Sequence, residues 1–310
     1  MKIFVTGGAG YIGSVMVPVL LSEGHEVTVL DNFMYNQTSL LDCCYYPNLR
    51  IIRGDCRDEK IVKECMKGAD FIFPLACLTG APLCSKDPWN ASSVIIDGLS
   101  LIIKNLNENQ KIIYPTTNSG YGIGQKDIYC DENTPLNPIS LYGRLKVQAE
   151  EMVLKTKQAI SFRLATVFGV SPRMRLDLLV NDFVYRAVTD RFIVLFEAHF
   201  KRNYIHIRDV VNAFLHGMKK FSEMKGEVYN VGLSDCNISK KELCEEIAKQ
   251  VPNFVFIESP IGEDLDKRNY IVSNEKIERT GFKPKWSLKD GITELIKGFQ
   301  IIRKNQYSNV

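Results

Sequence analysis

The chain has 310 residues, 45% of them hydrophobic and 24% charged, with a formal net charge of +3. That is enough apolar material for one large α/β domain or two smaller ones, while so small a net charge argues against nucleic acid or a membrane surface as partner, and the longest uncharged run, residues 3–22, is broken by a glycine turn and a proline and is no continuous apolar span. Nine cysteines, at 43, 44, 56, 65, 77, 84, 130, 236 and 244, form no Cys-x-x-Cys pair; they read as reduced structural thiols rather than a disulfide framework or a zinc site, and no metal is expected.

Ile3-Phe4-Val5 opens the chain as a strand, leaving no room for a signal peptide and pointing to the cytoplasm. The strand runs into glycines spaced Gly7-x-x-Gly10-x-x-Gly13 and an apolar helical pattern from Tyr11 to Leu21. Strand, glycine turn and helix in this order form the phosphate end of a dinucleotide-binding unit. The first glycine allows the tight turn, the second lets backbone approach a pyrophosphate, and the third lets helix pack on strand. The helix N-terminus then presents unpaired N–H groups to the phosphates. Glu26 to Leu30 alternates as a second strand and ends at Asp31 and Asn32. A carboxylate at this distance from the turn accepts from the adenosine ribose hydroxyls and repels a 2′-phosphate, so Asp31 argues for NAD.

Leu49 to Arg53 is the third strand, followed by Gly54-Asp55-Cys56, and Asp58 is positioned to cap a helix over Ile61 to Lys67. Phe71 to Leu75 is the fourth strand, leading into Ala76-Cys77; Asp87-Pro88-Trp89 starts a helical pattern reaching about Asn107, and Lys111 to Tyr114 is the fifth strand. The alternation predicts an α/β fold, a Rossmann doubly wound parallel sheet with ligands at the carboxyl ends of its strands. A Pro-containing loop at 170–173 marks the expected boundary between an NAD-binding domain over 1–170 and a smaller substrate-binding α/β domain over 171–310, with a strand near 227–231 returning to the first. The second half reads as helices near 176–189, 208–221, 239–250 and 287–303 and strands near 192–196 and 253–257.

Ser140 is positioned to cap a helix carrying Tyr142 and Lys146, which share one face. Ionising a phenol near pH 7 takes about 4 kcal/mol of phenolate stabilisation, and an ammonium close by in a low dielectric supplies much of it. Such a phenolate takes the proton from an alcohol as its hydride departs. Strand five continues to Thr117, whose hydroxyl can share the reacting proton, and then to Asn118 and Ser119. Cys77 and Cys84 fall near the expected cleft and read as buried thiols.

Together the glycine turn, Asp31, Gly54-Asp55, the Thr117 strand end and Tyr142-x-x-x-Lys146 resemble the extended short-chain dehydrogenases/reductases, and among them the NAD-dependent nucleotide-sugar epimerases and dehydratases. The resemblance implies NAD held by Gly7, Gly10, Tyr11, Ile12, Gly13, Asp31, Asn32, Asp55, Cys56, Leu75, Ala76 and Cys77, together with Tyr142 and Lys146. It implies that Asp55 receives the adenine amino group, that residues 75–77 line the nicotinamide side and that Lys146 binds the nicotinamide ribose. Thr117, Tyr142 and Lys146 are then the catalytic set. Asn118, Ser119, Asn181, Arg202 and Arg268 join Thr117 against a nucleotide-diphospho-sugar, GDP- or UDP-linked, with Arg202 and Arg268 on its diphosphate. His206, Phe162-Arg163-Leu164 and Tyr229-Asn-Val-Gly232 read as structural.

Family dehydratases and decarboxylases carry a glutamate where Ser119 stands, and dehydratases often an aspartate at Asn118. Neither residue present here is a competent base near neutral pH. What remains is chemistry needing only an alcohol proton and a hydride. Thr117 to Asp127 and Ser171 to Asp182 resemble more closely the bacterial enzymes that oxidise C4 of a GDP-linked manno-heptose in capsule pathways. The expectation is therefore C4 oxidation, with a 4-epimerase of the UDP-glucose type as alternative and a dehydratase or a non-catalytic dinucleotide sensor ranked below. A homodimer through the helices near 88–107 and 141–157 is expected, as in relatives.

Overall fold

Strands buried on both faces need helices on both sides, and the chain supplies them in alternation. In the computed structural model, which describes residues 1–125, 127–261 and 268–302, β1 (Lys2–Thr6) is followed by α1 (Gly13–Ser22), β2 (Glu26–Asp31), β3 (Leu49–Arg53), α2 (Glu59–Met66) and β4 (Phe71–Pro74). Next come α3 (Ala81–Lys86), α4 (Pro88–Ser92), α5 (Gly98–Lys104), β5 (Lys111–Thr117), β6 (Tyr129–Cys130), α6 (Leu141–Lys155) and β7 (Ala159–Leu164). The helix expected over 88–107 is α4, a π-helical turn at Ser93–Asp97 and α5 in succession, ending at Lys104. The remaining chain contributes β8 (Thr166–Phe168), α7 (Leu179–Thr189), β9 (Phe192–Leu195), β10 (Lys201–His206), α8 (Ile207–Lys219), α9 (Phe221–Met224) and β11 (Val228–Val231). It ends with β12 (Asn237–Ser239), α10 (Lys240–Ala248), β13 (Val255–Glu258), β14 (Ile271–Val272), α11 (Glu275–Arg279) and α12 (Leu288–Ile301).

One parallel sheet of order β3-β2-β1-β4-β5-β7-β11 organises the molecule. The chain steps outward from β1 to β3, returns to β4 and proceeds the other way, so a crevice opens beyond the carboxyl ends of β1 and β4. Thr6 pairs with Leu30 and Pro74, and Thr117 with Leu164, which brings the loop after β1 and the end of β5 to that same edge. Alternate residues face opposite layers. Val5, Phe73 and Ile113 pack with Val15 of α1 and Phe214 of α8; Phe4, Ile72 and Tyr114 pack with Leu99 of α5 and with Leu145 and Ala149 of α6. The apolar stripe of α5 is thus used on its own sheet.

Local chemistry sets the helix starts. Asp58 accepts from Lys60 N and Ile61 N to cap α2, and Ser140 accepts from Gly143 N to cap α6. Each such cap is worth about 1 kcal/mol. The second half adds small sheets, β12-β10-β8, β13-β9 and β14-β6. The segment holding Arg202, singled out for its residues rather than as a strand, is β10, parallel to β8. Tyr185 of α7 meets Phe299 of α12 edge-on at 5.3 Å, within a core that runs on from Ile3.

Candidate active site

A cleft of about 280 Å³ lies where the strand order reverses. Its floor is the loop over residues 7–13. Gly7 has φ +68° and a Cβ there would lie 2.7 Å from Ala76 N, while at Gly13 one would lie 2.5 Å from Gly8 O. A side chain at either position would clash with backbone, so the loop presents bare main chain at the start of α1. That cradle fits a dinucleotide pyrophosphate.

Two acidic residues line the cleft at the ends of β2 and β3. Asp31 Oδ2 accepts from Ala9 N at 3.0 Å and Oδ1 from Phe33 N at 2.8 Å, which fixes the carboxylate at the end of β2. Burial pushes this carboxyl up and the two N–H donors oppose the rise. Arg57 clasps Asp55 through Nε at 2.9 Å and Nη2 at 2.6 Å and holds its carboxyl low. Both carboxylates, with Asn32, Cys56, Leu75, Ala76 and Cys77, line the cleft. Burial pushes the Cys56 and Cys84 thiols up to about 12, which leaves them inert. Cys77 and Cys84 both point their sulfur at Leu78 O, at 3.3 and 3.1 Å.

Tyr142, Lys146 and Thr117 line the same cleft. Ser140 starts α6 so that Tyr142 falls in its first turn and Lys146 one turn later. Burial, with the Cys77 and Cys84 thiols, holds the Tyr142 phenol well above its ordinary value, and the guanidinium groups of Arg175 and Arg268 offset only part of the rise. The Lys146 ammonium, expected against Tyr142, instead donates to Tyr114 Oη at 2.8 Å. Thr117 Oγ1 donates to Ser119 Oγ at 2.9 Å and accepts from Ser119 N at 3.1 Å; Ser119 Oγ accepts in turn from Arg268 Nη1. Thr117 keeps one lone pair for a further donor such as a sugar hydroxyl. Arg268 reaches the cleft from the far end of the chain; Asp266 and Lys267, which precede it, lie outside the described residues.

Three residues expected at the substrate do not line the cleft as the described residues form it. Asn118 is buried at 1% exposure, and neither of its amide atoms has a hydrogen-bond partner among the described residues. Asn181 is fully buried: Oδ1 accepts from Gly169 N at 3.1 Å, and Nδ2 donates to Arg175 O at 2.8 Å and Tyr11 Oη at 3.1 Å. It braces the roof of the cleft instead. Arg202 lies buried in β10, its guanidinium 5.8 Å from the Tyr270 ring centroid and Nη1 donating to Lys201 O. Of that pair, Tyr270 is the one that lines the cleft. His206 is fully buried and stacked on Trp286 at 4.6 Å, as its structural reading expected.

The roof itself was not anticipated. Tyr11 Oη donates to Gly169 O and Ser171 Oγ to Tyr11 O, both at 2.7 Å, so the segment after β8 is pinned to the glycine loop. Two arginines then point inward. Arg173 lies 4.3 Å over the Tyr35 ring, and Arg175, paired with Asp177, has Nη2 3.4 Å from Thr79 O. Arg173, Arg175, Tyr35, Thr79 and Gly80 all line the cleft. The available signal was the Ser171-Pro-Arg-Met-Arg175 run, which brings two arginines close together beside the expected domain boundary.

This arrangement can hold a dinucleotide, set a phenol beside an alcohol, and exclude water beneath a cationic roof. The model of the NAD dependent epimerase/dehydratase family matches residues 3–232. A low-salt glycan biosynthesis protein of Haloferax volcanii is 28% identical across 94% of this chain and 96% of its own length. Human dTDP-D-glucose 4,6-dehydratase is 26% identical across 96% of this chain and 90% of its own. The crystal structure of UDP-glucose 4-epimerase from Thermotoga maritima with UDP-glucose superposes with a TM-score of 0.85 at 24% identity, covering 97% of this chain and 99% of that one.

Proposed function

The chain belongs to the NAD-dependent epimerase/dehydratase family, and from that premise we propose that it oxidises a nucleotide-diphospho-sugar at C4, a GDP-linked heptose, in bacterial surface polysaccharide synthesis. In this proposal residues 1–170 hold the cofactor and 171–310 the nucleotide sugar, and the enzyme works in the cytoplasm as a homodimer. No helix among the described residues is long and apolar enough to cross a membrane.

The convergence of Thr117, Tyr142 and Lys146 in the cleft floored by the glycine loop is the observation that carries the reading. NAD, held there, would supply the acceptor for the hydride leaving C4. Tyr142 Oη takes the hydroxyl proton; burial opposes its ionisation, Arg175 and Arg268 offset part of that cost, and in this proposal the positive charge of Lys146 offsets the rest. Thr117 accepts from the sugar hydroxyl through its remaining lone pair and orients it. Arg268, like Arg173 and Arg175, lines the cleft with a fork that matches phosphate geometry, and in this proposal Arg268 sits on the diphosphate. Gly7, Gly10, Tyr11, Ile12 and Gly13 hold the cofactor pyrophosphate, with Asp31 on the adenosine ribose. The side chains of Asn118 and Ser119 supply no base for the C5 proton, which supports oxidation without elimination.

A 4-epimerase is the second reading, because the same residues serve it and the likeness to the Thermotoga maritima epimerase spans the whole fold. Incubation with GDP-heptose and UDP-sugars, followed by product NMR, separates the two. A 4-keto product that accumulates while an added oxidant consumes NADH marks the dehydrogenase; an epimer formed without net redox marks the epimerase. In either case Tyr142→Phe is expected to lower kcat about a hundredfold or more with NAD affinity little changed. Undiminished turnover by that variant would remove the catalytic assignment.

A further inference from the structure

Lys146 is a buried cation at 4% exposure, and burial pulls its pKa down. To stay charged it needs an acceptor inside the fold. Tyr114 provides one: Nζ donates to Oη at 2.8 Å and lies 4.1 Å from the ring centroid. The tyrosine comes from β5, shortly before Thr117, and is itself 3% exposed in the layer between the sheet and α6. Next to it Thr116 Oγ1 donates to Lys146 O at 3.4 Å, so β5 grips both ends of the lysine.

The other titratable groups around the ammonium are Cys77 and Cys84 from the segment after β4, and Glu150 and Tyr142 from α6 itself. Each of the first three is engaged elsewhere. The two thiols point at Leu78 O, and Glu150 accepts from Arg163 and Ser161. Tyr114 is therefore the neighbour that holds Nζ. A phenol hydroxyl in that role differs from a carboxylate in one respect that matters here. It accepts a hydrogen bond without cancelling the positive charge, so the field of the ammonium still reaches the cleft. Of the three ammonium donors, one goes to Tyr114 and two stay available on the cleft side.

We infer that Tyr114 is a positioning residue whose hydroxyl anchors the Lys146 ammonium at the back of the cleft and aims its remaining N–H bonds at the nicotinamide ribose. The inference rests on the proposed contact of Lys146 with that ribose. NAD binding, measured by isothermal titration between about pH 7 and pH 10, tests both with Tyr114→Phe, Lys146→Met and the double variant; Tyr114→Phe removes one oxygen and leaves the ring packed. Lys146→Met is expected to weaken binding about tenfold and Tyr114→Phe about three- to fivefold at neutral pH. In Tyr114→Phe the alkaline loss of affinity should also begin about one pH unit earlier, because the ammonium has lost its acceptor. The double variant should bind no more weakly than Lys146→Met, since the tyrosine acts through the lysine. Equal and additive losses in both backgrounds, or a Tyr114→Phe isotherm matching wild type at every pH, overturn the inference and leave the ribose contact standing. Wild-type affinity in Lys146→Met overturns the ribose contact, and the role of Tyr114 with it.

Discussion

Arg163 in β7 and Glu150 in α6 bury a charge pair at the back of the catalytic helix. The carboxylate accepts from Nη2 at 2.6 Å and Nε at 3.1 Å, with the two side chains 7% and 4% exposed. Glu150 Oε2 also accepts from Ser161 Oγ at 3.0 Å, and Arg163 Nη1 donates to Tyr121 Oη at 3.1 Å, which itself donates to Asn230 of β11 at 2.8 Å. Desolvating two charges offsets much of their attraction, so the pair adds little net stability, yet removing one partner strands the other. Glu150→Ala is expected to cost about 3–5 kcal/mol in urea unfolding. The double variant Glu150→Leu, Arg163→Met should lose clearly less than the sum of its single changes; simple additivity would mean the two charges do not depend on each other. In the sequence Arg163 already read as structural, from the family resemblance of Phe162-Arg163-Leu164. Its partner did not, because the pairing needs the crossover from helix to strand to be folded.

Among the elements, the tie between α12 and the roof of the cleft is made by one carboxylate. Glu294 accepts from Val170 N at 3.0 Å and His206 Nε2 at 2.8 Å, and Arg208 lies 3.0 Å away. His206 Nδ1 accepts from Arg208 N at 3.3 Å, which makes Nε2 the protonated nitrogen. Burial raises the Glu294 pKa, but these donors outweigh it and hold the carboxyl at about 2, against an ordinary 4.5. A lowered folded-state pKa contributes stability that is complete above the ordinary value and is lost as the pH falls toward the folded one. Glu294→Gln should therefore cost about 1–3 kcal/mol near neutral pH, with a gap to wild type that narrows below about pH 4.5. Urea unfolding at a series of pH values measures it, and a gap independent of pH would mean the carboxylate charge is not what ties α12 down. This tie shows where legibility stopped. β1 to β5 and α6 could be read because period, turn and cap agree along one stretch. β8 and β12 span three residues each, too few for an alternation to register. The family resemblance implied Arg202 and Asn181 as ligands; in the folded chain Asn181 ties Tyr11 to Gly169 and Arg175, and Arg202 lies buried against Tyr270.

At the scale of the molecule, the doubly wound sheet was legible from alternating strands and helices, while the way the second half closes over it was not. The core that includes Ile3 and Val5 of β1 continues through Val180 of α7 and Val210 of α8 to Ile292 and Phe299 of α12. β11, reached only after the roof and α8, returns to the edge of the main sheet beside β7. Polar ties cross at the cleft as well, from Tyr11 to Gly169 and from Ser14 to Ser171. Neither half can lose its packing without exposing apolar surface of the other, so calorimetry is expected to record one transition with equal van't Hoff and calorimetric enthalpies. A ligand bound to one part of such a unit stabilises all of it. NAD at about a hundred times its Kd should add about 2.7 kcal/mol, which for a chain of this length raises Tm by about 4 °C. The dependence on both halves can be seen directly, because the cleft takes its floor from the glycine loop and its roof from Arg173 and Arg175. Two resolved transitions, with NAD moving only the one that belongs to residues 1–170, would mean that the shared core does not couple them.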